Sequence, residues 1–192
     1  MKPFGFLLIV ILSILLISSA CKKDPVLPNP EELITTLIYT LTPVGPEGST
    51  VILTFRDLDG DGGNAPVITY TGPGGDSLVT GVTYTGVIEL LNESTNPVTN
   101  ITEEIEAEDE DHQFFYTFNG LHATVEYTDQ DNEGLPVGLN TTLNASGPGS
   151  GTLTITLRHL PDKSAAGVSD GLINNAGGET DIEVTFFQII VP

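Results

Sequence analysis

Cysteine is nearly absent from this chain: Cys21 carries the one thiol among 192 residues. A single cysteine cannot form an internal disulfide, and zinc and thiol-redox motifs built on cysteine pairs are excluded as well. The folded part of the chain must therefore be stabilised by its core and its hydrogen bonds.

The residues before Cys21 predict a lipoprotein signal. Lys2 precedes an apolar run from Phe4 to Ile17, and Ser18-Ser19-Ala20 follow it. As a helix this run would span about 21 Å, which is short of a hydrocarbon core of about 30 Å. A short apolar segment ending in small residues is typical of a secretory signal. A thiol directly after it resembles the acceptor of the bacterial lipoprotein lipid, so we expect residues 1–20 to be removed and Cys21 to be lipidated. The alternative is an ordinary signal followed by a chance cysteine.

Prolines dominate the next segment. Three of them lie in residues 21–31, which predicts a stiff, extended tether, with a single domain over residues 32–192. No later apolar run is long enough to span a bilayer. We therefore expect the domain to be attached to the outer membrane by its lipid, on the periplasmic or the surface-exposed face.

Basic residues are also scarce. Six Lys and Arg stand against 26 Asp and Glu, so the net charge is −20. Such a field disfavours nucleic acid and anionic lipid headgroups as partners. It permits cations, basic proteins and neutral ligands, so a surface protein or a glycan is an allowed partner.

Helical periodicity is largely missing, and alternation of apolar and polar residues takes its place. The segments LITTLIYTLT, TVILTFR and GTLTITLRHL alternate clearly, and Gly, Pro, Asn and Asp clusters separate them. This pattern predicts an all-β fold, an immunoglobulin-like antiparallel β-sandwich of about eight or nine strands. PVITYT at Pro66–Thr71 is an additional short strand. Asn100–Asp111 is the one helical candidate, with Asn100 as N-cap and Glu103 three residues later; a solvated acidic connection is the alternative.

The stretch DLDGDG raises the question of calcium. Asp57, Asp59 and Asp61 alternate before Gly62, as in loops that supply hard oxygen ligands to Ca²⁺. The twelfth position is Ile68 rather than glutamate, which excludes an EF-hand. A looser calcium loop and a tight turn favoured by Asp and Gly both remain open.

A second stretch, YTDQDNEG, has the same spacing. Asp129, Asp131 and Glu133 precede Gly134, and both stretches leave through Pro-Val. The two units are interpreted as an internal echo or as loops brought to one end of the sandwich. Calcium is an optional ligand of these six acids, and the sequence predicts no cofactor that the fold requires.

Evidence for catalysis is weak. GVSDG around Ser169 matches the serine hydrolase pattern G-x-S-x-G, but a polar run replaces the buried strand that this motif needs. The histidines 112, 122 and 159 are scattered, so no zinc site is predicted. Tryptophan is absent, so a sugar-stacking surface would have to use tyrosines: Tyr39, Tyr70, Tyr84, Tyr116 and Tyr127. The aperiodic segment 161–180 is interpreted as either a ligand-binding loop or a mobile rim.

Three segments resemble a family of small lipoproteins from Bacteroidota: RDLDGDGGNAPV, LLNESTNPVTNITEEIEAEDEDHQFFYTF and TLRHLPDKSAAG with NAGGETDIEVTF. The resemblance implies a lipid anchor and no particular activity. Some members carry the label of a type 1 periplasmic binding fold, a larger α/β architecture that the strand pattern here does not favour.

The sequence therefore predicts a membrane-anchored, non-catalytic binding or structural module outside the cytoplasm. A calcium-stabilised module that binds a ligand or glycan at the cell surface is the second hypothesis, and a hydrolase is the third.

Overall fold

The computed structural model describes residues 33–59 and 64–192, which belong to one compact unit. The predicted signal, Cys21 and the tether fall outside these residues, and so does Asp61 of the first acidic stretch. The elements of the described chain follow in this order: β1 (Thr36–Pro43), β2 (Val51–Arg56), β3 (Val67–Thr71), β4 (Ser77–Val79), β5 (Thr83–Asn92), β6 (Thr99–Asn100), α1 (Ile101–Ala107), β7 (His112–Asn119), β8 (Ala123–Tyr127), β9 (Asn140–Ala145), β10 (Gly149–His159) and β11 (Glu179–Val191).

The strands form two sheets that share one hydrophobic core, which confirms the predicted β-sandwich. The first sheet has the order β3-β2-β1-β5-β9-β8, with the short β6 paired to β5. The second has the order β4-β11-β10-β7, and its β4–β11 pair is parallel. β7 lies at one edge of the second sheet and β8 at one edge of the first. Because β7 and β8 are consecutive in sequence, the chain crosses between the sheets at this side of the sandwich.

The core follows from the alternation along the strands. The inward side chains of β1 and β10 are buried as their pattern predicted: Leu37, Tyr39, Leu41, Leu153, Ile155 and Leu157. Burying each such side chain contributes about 1.5–3 kcal/mol. The Tyr39 hydroxyl is satisfied within the core, since it lies 2.8 Å from Thr141 Oγ1. The sandwich is thus held together without the disulfide that the cysteine count excludes.

The acidic segment does form a helix. Asn100 caps α1, because its side chain accepts a hydrogen bond of 3.1 Å from the Thr102 amide. Its amide group also donates to Glu103, the predicted partner three residues later, at 3.0 Å. Ile101 and Ile105 are buried in the core, which offsets the repulsion among the glutamates on the outer face. A 3₁₀ turn at Asp109–Asp111 connects the helix to β7.

Among the described residues, no helix combines the length and the apolar character needed to cross a membrane.

Candidate functional site

The two acidic loops leave the same end of the first sheet but are far apart. β2 precedes the first loop and β8 precedes the second. Both run parallel to β5, because one antiparallel strand separates each of them from it. Four strand spacings of about 4.8 Å put β2 and β8 about 19 Å apart. The expectation that the loops come to one end is therefore met, yet they cannot hold one ion between them.

In the second loop, Asp131 is a buried acceptor. Its Oδ1 accepts hydrogen bonds from the amides of Glu133, at 3.0 Å, and Leu135, at 2.8 Å. Its Oδ2 lies 2.9 Å from the ammonium of Lys163, and neither side chain is more than 3% exposed. Burial by itself raises the pKa of Asp131, but the hydrogen bonds from Lys163 and the two amides outweigh it, so this pKa is lowered.

Asp129 is used in the same way. Its two oxygens accept hydrogen bonds from the amides of Gly138, at 2.7 Å, and Asn140, at 2.8 Å. Gly138 has a φ of +90°, and a Cβ there would lie 2.9 Å from both Phe114 and Tyr127. The carboxylate thus fastens a backbone turn that only glycine fits against β7 and β8.

These contacts favour the tight-turn interpretation of the second loop over the calcium one. Every carboxylate oxygen of Asp129 and Asp131 already accepts from the protein, and a lysine ammonium stands beside Asp131. Glu133 is exposed and offers one further acid. A calcium ion would have to displace Lys163 from a buried position, at the cost of leaving that cation without its partner.

The first loop is arranged differently. Asp59 is exposed and its Oδ2 accepts from the Asn64 side chain at 2.7 Å, a bond that lowers the pKa of Asp59. Asp57 Oδ1 is buried and has no hydrogen-bond partner among the described residues. Asp61 lies outside those residues. The calcium hypothesis therefore stays a prediction for this loop, with Asp57 as its anchor.

A groove of about 380 Å³ runs along β8, between the second acidic loop and the segment 161–178. Its polar lining comes from three acids, an amide and a hydroxyl: Glu126, Asp129, Asp170, Gln130 and Ser169. A hollow of about 200 Å³ shares Val125, Tyr127 and Asp170 with it and extends to Tyr116 and Phe118. The groove and the hollow together thus form a concave surface along the edge strand β8, with an acidic rim and an aromatic floor.

The hydroxyls of both tyrosines in this surface are hydrogen-bonded to backbone carbonyls. Tyr127 donates to the Phe114 carbonyl at 2.7 Å, and Tyr116 donates to the Gly138 carbonyl at 2.6 Å. Burial raises the pKa of Tyr127 to about 12. Of the five tyrosines considered for stacking, Tyr127 lines both the groove and the hollow and Tyr116 lines the hollow, whereas Tyr39 and Tyr84 are fully buried in the core. Their rings offer fixed apolar contact, since their hydroxyls are already committed to the protein.

The segment 161–178 is packed rather than a mobile rim. Val168 and Ala176 are fully buried against Phe115 of β7. The Gln113 side chain donates to the Val168 carbonyl at 2.8 Å, and Lys163 also donates to the Asp109 carbonyl. This segment presents Ser169 and Asp170 to the groove. None of the described hydrogen bonds connects Ser169 to a histidine, so the contact that a serine hydrolase requires is not found there.

The structure also brings together two histidines and an aspartate that are far apart in the sequence. His112 and His159 face each other across β7 and β10, with their rings stacked at 4.8 Å. Asp181 of β11 lies beside them, with Oδ2 3.8 Å from His112 Nε2. No local spacing signals this cluster, because only the strand register unites residues so distant in sequence.

Comparison of the chain with family models, with curated proteins and with solved structures finds no match. The resemblance to lipoproteins of Bacteroidota therefore stays a prediction.

Proposed function

We propose that this chain is a lipid-anchored, extracytoplasmic binding module whose ligand occupies the groove along β8. The groove and the adjoining hollow are the main support for this proposal, because together they combine a few polar side chains with an aromatic floor, as ligand sites commonly do. It also lies on two rigid elements, the edge strand β8 and the packed segment 161–178, so it needs little ordering when a ligand binds.

The acidic lining of the groove restricts the chemical class of ligand that it can bind. Glu126, Asp129 and Asp170 line it, and no Lys or Arg does among the described residues. An anionic ligand would be repelled, in line with the net charge of −20. A neutral or amino-bearing glycan fits best, since its hydroxyls can donate to the carboxylates and its sugar faces can contact the rings of Tyr116 and Tyr127.

Binding to an immobilised panel of neutral and amino-bearing oligosaccharides tests this proposal. We expect the full-length chain to bind at least one of them, and Asp170→Arg to lose that binding because it puts a large cationic side chain into the groove. Glu47→Arg is the matched control, because Glu47 is an exposed acid outside the groove. Absence of binding across the panel, or equal binding by Asp170→Arg, would overturn the proposal.

A separate experiment tests the anchor. Metabolic labelling with a fatty acid should mark the wild-type chain and not Cys21→Ser, because Cys21 is the single thiol. Labelling that persists in Cys21→Ser, or an unlabelled wild type, would contradict the anchor and leave the groove proposal standing.

Calcium stabilisation is the second candidate, and Asp57 favours it. Its buried Oδ1 has no donor in the part of the chain that the structure describes, and a bound cation would relieve the free energy that this costs. The module would then bind its ligand beside β8 and calcium in the first acidic loop, at the far side of the same sheet.

A further inference from the structure

Three adjacent strands of the second sheet bring potential metal ligands to one end of it. His112 begins β7 and His159 ends β10, and the two residues are direct partners in the register. Asp181 lies on β11, the neighbour of β10 on its other side. The ligand atoms of these three residues lie within 4.8 Å of one another.

Hydrogen bonding orients the first histidine. His112 Nδ1 lies 3.0 Å from the Glu108 carbonyl oxygen, which can only accept, so Nδ1 carries the proton and donates it. In the neutral ring Nε2 then holds the lone pair, and it lies 3.8 Å from Asp181 Oδ2. A backbone carbonyl that fixes the tautomer in this way is the usual support for a metal-binding histidine.

A strand irregularity delivers the carboxylate. The pairing of β10 and β11 shifts between Leu157 and Arg158, so that Leu157 pairs with Ile182 and Arg158 with Thr180. Asp181 is the extra residue of this bulge. Bulges re-aim side chains and are frequent next to functional sites. Here the bulge places a carboxylate that is 3% exposed within 3.8 Å of His112 Nε2.

The second histidine can adjust. His159 is partly exposed, and no hydrogen bond to its ring is found in the described part of the chain. Its ring is within 9° of parallel to that of His112, so it must tilt to direct a nitrogen at a shared ion. Zinc lies about 2.0–2.1 Å from its ligands, which puts the ligands of a tetrahedral site about 3.3 Å apart. The cluster therefore needs to close by at most about 1.5 Å.

We propose that His112, His159 and Asp181 form a binding site for a divalent transition metal ion, for which zinc is the best match. Two imidazoles and one carboxylate suit zinc and its neighbours, whereas calcium and magnesium prefer all-oxygen sites. Three protein ligands leave a fourth position, and the partial exposure of His159 places it toward solvent.

Such an ion would link β7, β10 and β11 close to the start of the segment 161–178, which lines the groove. Leu160, directly after His159, has the left-handed φ of 51°, and its amide donates to the Asp111 carbonyl at 2.6 Å. This hydrogen bond joins the residue before His112 to the residue after His159, so the backbone next to both histidines is held in place.

Zinc titration by calorimetry tests the site in the full-length chain in detergent. A Cys21→Ser background keeps the thiol from binding the metal. We expect one zinc per chain, and at least about tenfold weaker binding in His159→Gln and in Asp181→Asn. His122→Gln is the matched control, because His122 is an exposed histidine that lies near Gly147 and is not a member of the cluster. It should bind zinc like the background.

Cobalt(II) provides a readout that does not depend on stability. A bound cobalt ion with tetrahedral histidine and carboxylate ligands should absorb visible light. Zinc should displace the cobalt and remove this absorption, whereas calcium should not. His159→Gln should abolish the absorption. The proposal is overturned if no zinc binds, if calcium competes equally, or if His122→Gln weakens binding as much as His159→Gln does. Because His159 is partly exposed, circular dichroism should show that this variant keeps its strands; unchanged zinc affinity in a folded His159→Gln would likewise overturn the site.

Discussion

The two acidic loops of the first sheet have the same sequence pattern and different structures. In the second loop Asp129 and Asp131 accept five hydrogen bonds from backbone amides and Lys163. In the first loop Asp59 bonds mainly to Asn64, and Asp57 keeps a buried oxygen without a donor among the described residues. Alternating aspartates therefore do not specify a role. The role depends on whether the rest of the fold supplies donors to them.

The largest expected difference concerns Lys163. In Lys163→Met the carboxylate of Asp131 stays buried without its cation, and we expect the free energy of unfolding to fall by about 3–5 kcal/mol. Urea denaturation measures this. The double variant Asp131→Asn/Lys163→Met should recover part of the loss, since it removes the unpaired charge. A loss of less than about 1 kcal/mol in Lys163→Met would mean that the pair behaves like a surface salt bridge.

The second-largest expected difference between the two loops is their contribution to stabilisation by calcium. At a free calcium concentration of 100 times Kd, binding adds about 2.7 kcal/mol to stability. We expect calcium to raise the melting temperature of the wild type and of Asp129→Asn. The melting temperature of Asp57→Asn should be the same with and without calcium. A chelator should reverse the shift. An unchanged wild-type melting temperature would end the calcium hypothesis for both loops, and a shift that survives in Asp57→Asn would place the ion elsewhere.

A smaller effect comes from replacing one aspartate in each loop. Asp129→Asn turns one acceptor into a donor that faces a backbone amide, which we expect to cost about 1–3 kcal/mol. Asp59→Asn is its counterpart in the exposed first loop, and there we expect a change within about 0.5 kcal/mol. Thermal melts of both variants without calcium make the comparison. Equal losses in the two variants would contradict the distinction between the loops.

The smallest effect is a change with pH. The lowered pKa of Asp131 means that the unfolded chain takes up the proton first as the pH falls, so this group stabilises the fold above its unfolded pKa of about 3.9 and loses that contribution in acid. The stability gap between wild type and Asp131→Asn should therefore narrow from pH 6 to pH 2. Urea denaturation at each pH measures the gap. A constant gap over this range would show that the pKa of Asp131 is the same in the folded and the unfolded chain.

Much of the architecture was predictable because it depends on local periodicity. The alternation in β1, β2 and β10 predicted strands and their inward faces correctly, and Asn100 with Glu103 marked the start of α1. Two short strands, β4 and β6, were missed because two or three residues carry no measurable period. The sequence does not decide between the two interpretations of the segment 161–180, because the packing of residues 161–178 depends on Phe115 and Gln113, which lie on a distant strand.

The sites were less predictable than the strands. Acid spacing pointed to both loops, but it could not tell that Lys163 would neutralise Asp131. The histidines 112 and 159 are 47 positions apart, as their numbers show, and they form a pair because β7 and β10 align them in register. Asp181 joins them because a bulge turns it toward them.

A mostly-β, acidic domain whose stability cannot depend on internal disulfides follows from the order and kind of residues alone, because side-chain alternation, charge and cysteine number are properties of the chain itself. Which carboxylates are satisfied, which tyrosines line a groove, and which histidines meet depend on contacts between residues far apart in sequence. Those contacts exist only after two sheets have packed and each strand has taken its register, since a shift of one residue in a strand would turn the side chains of that strand to the opposite face.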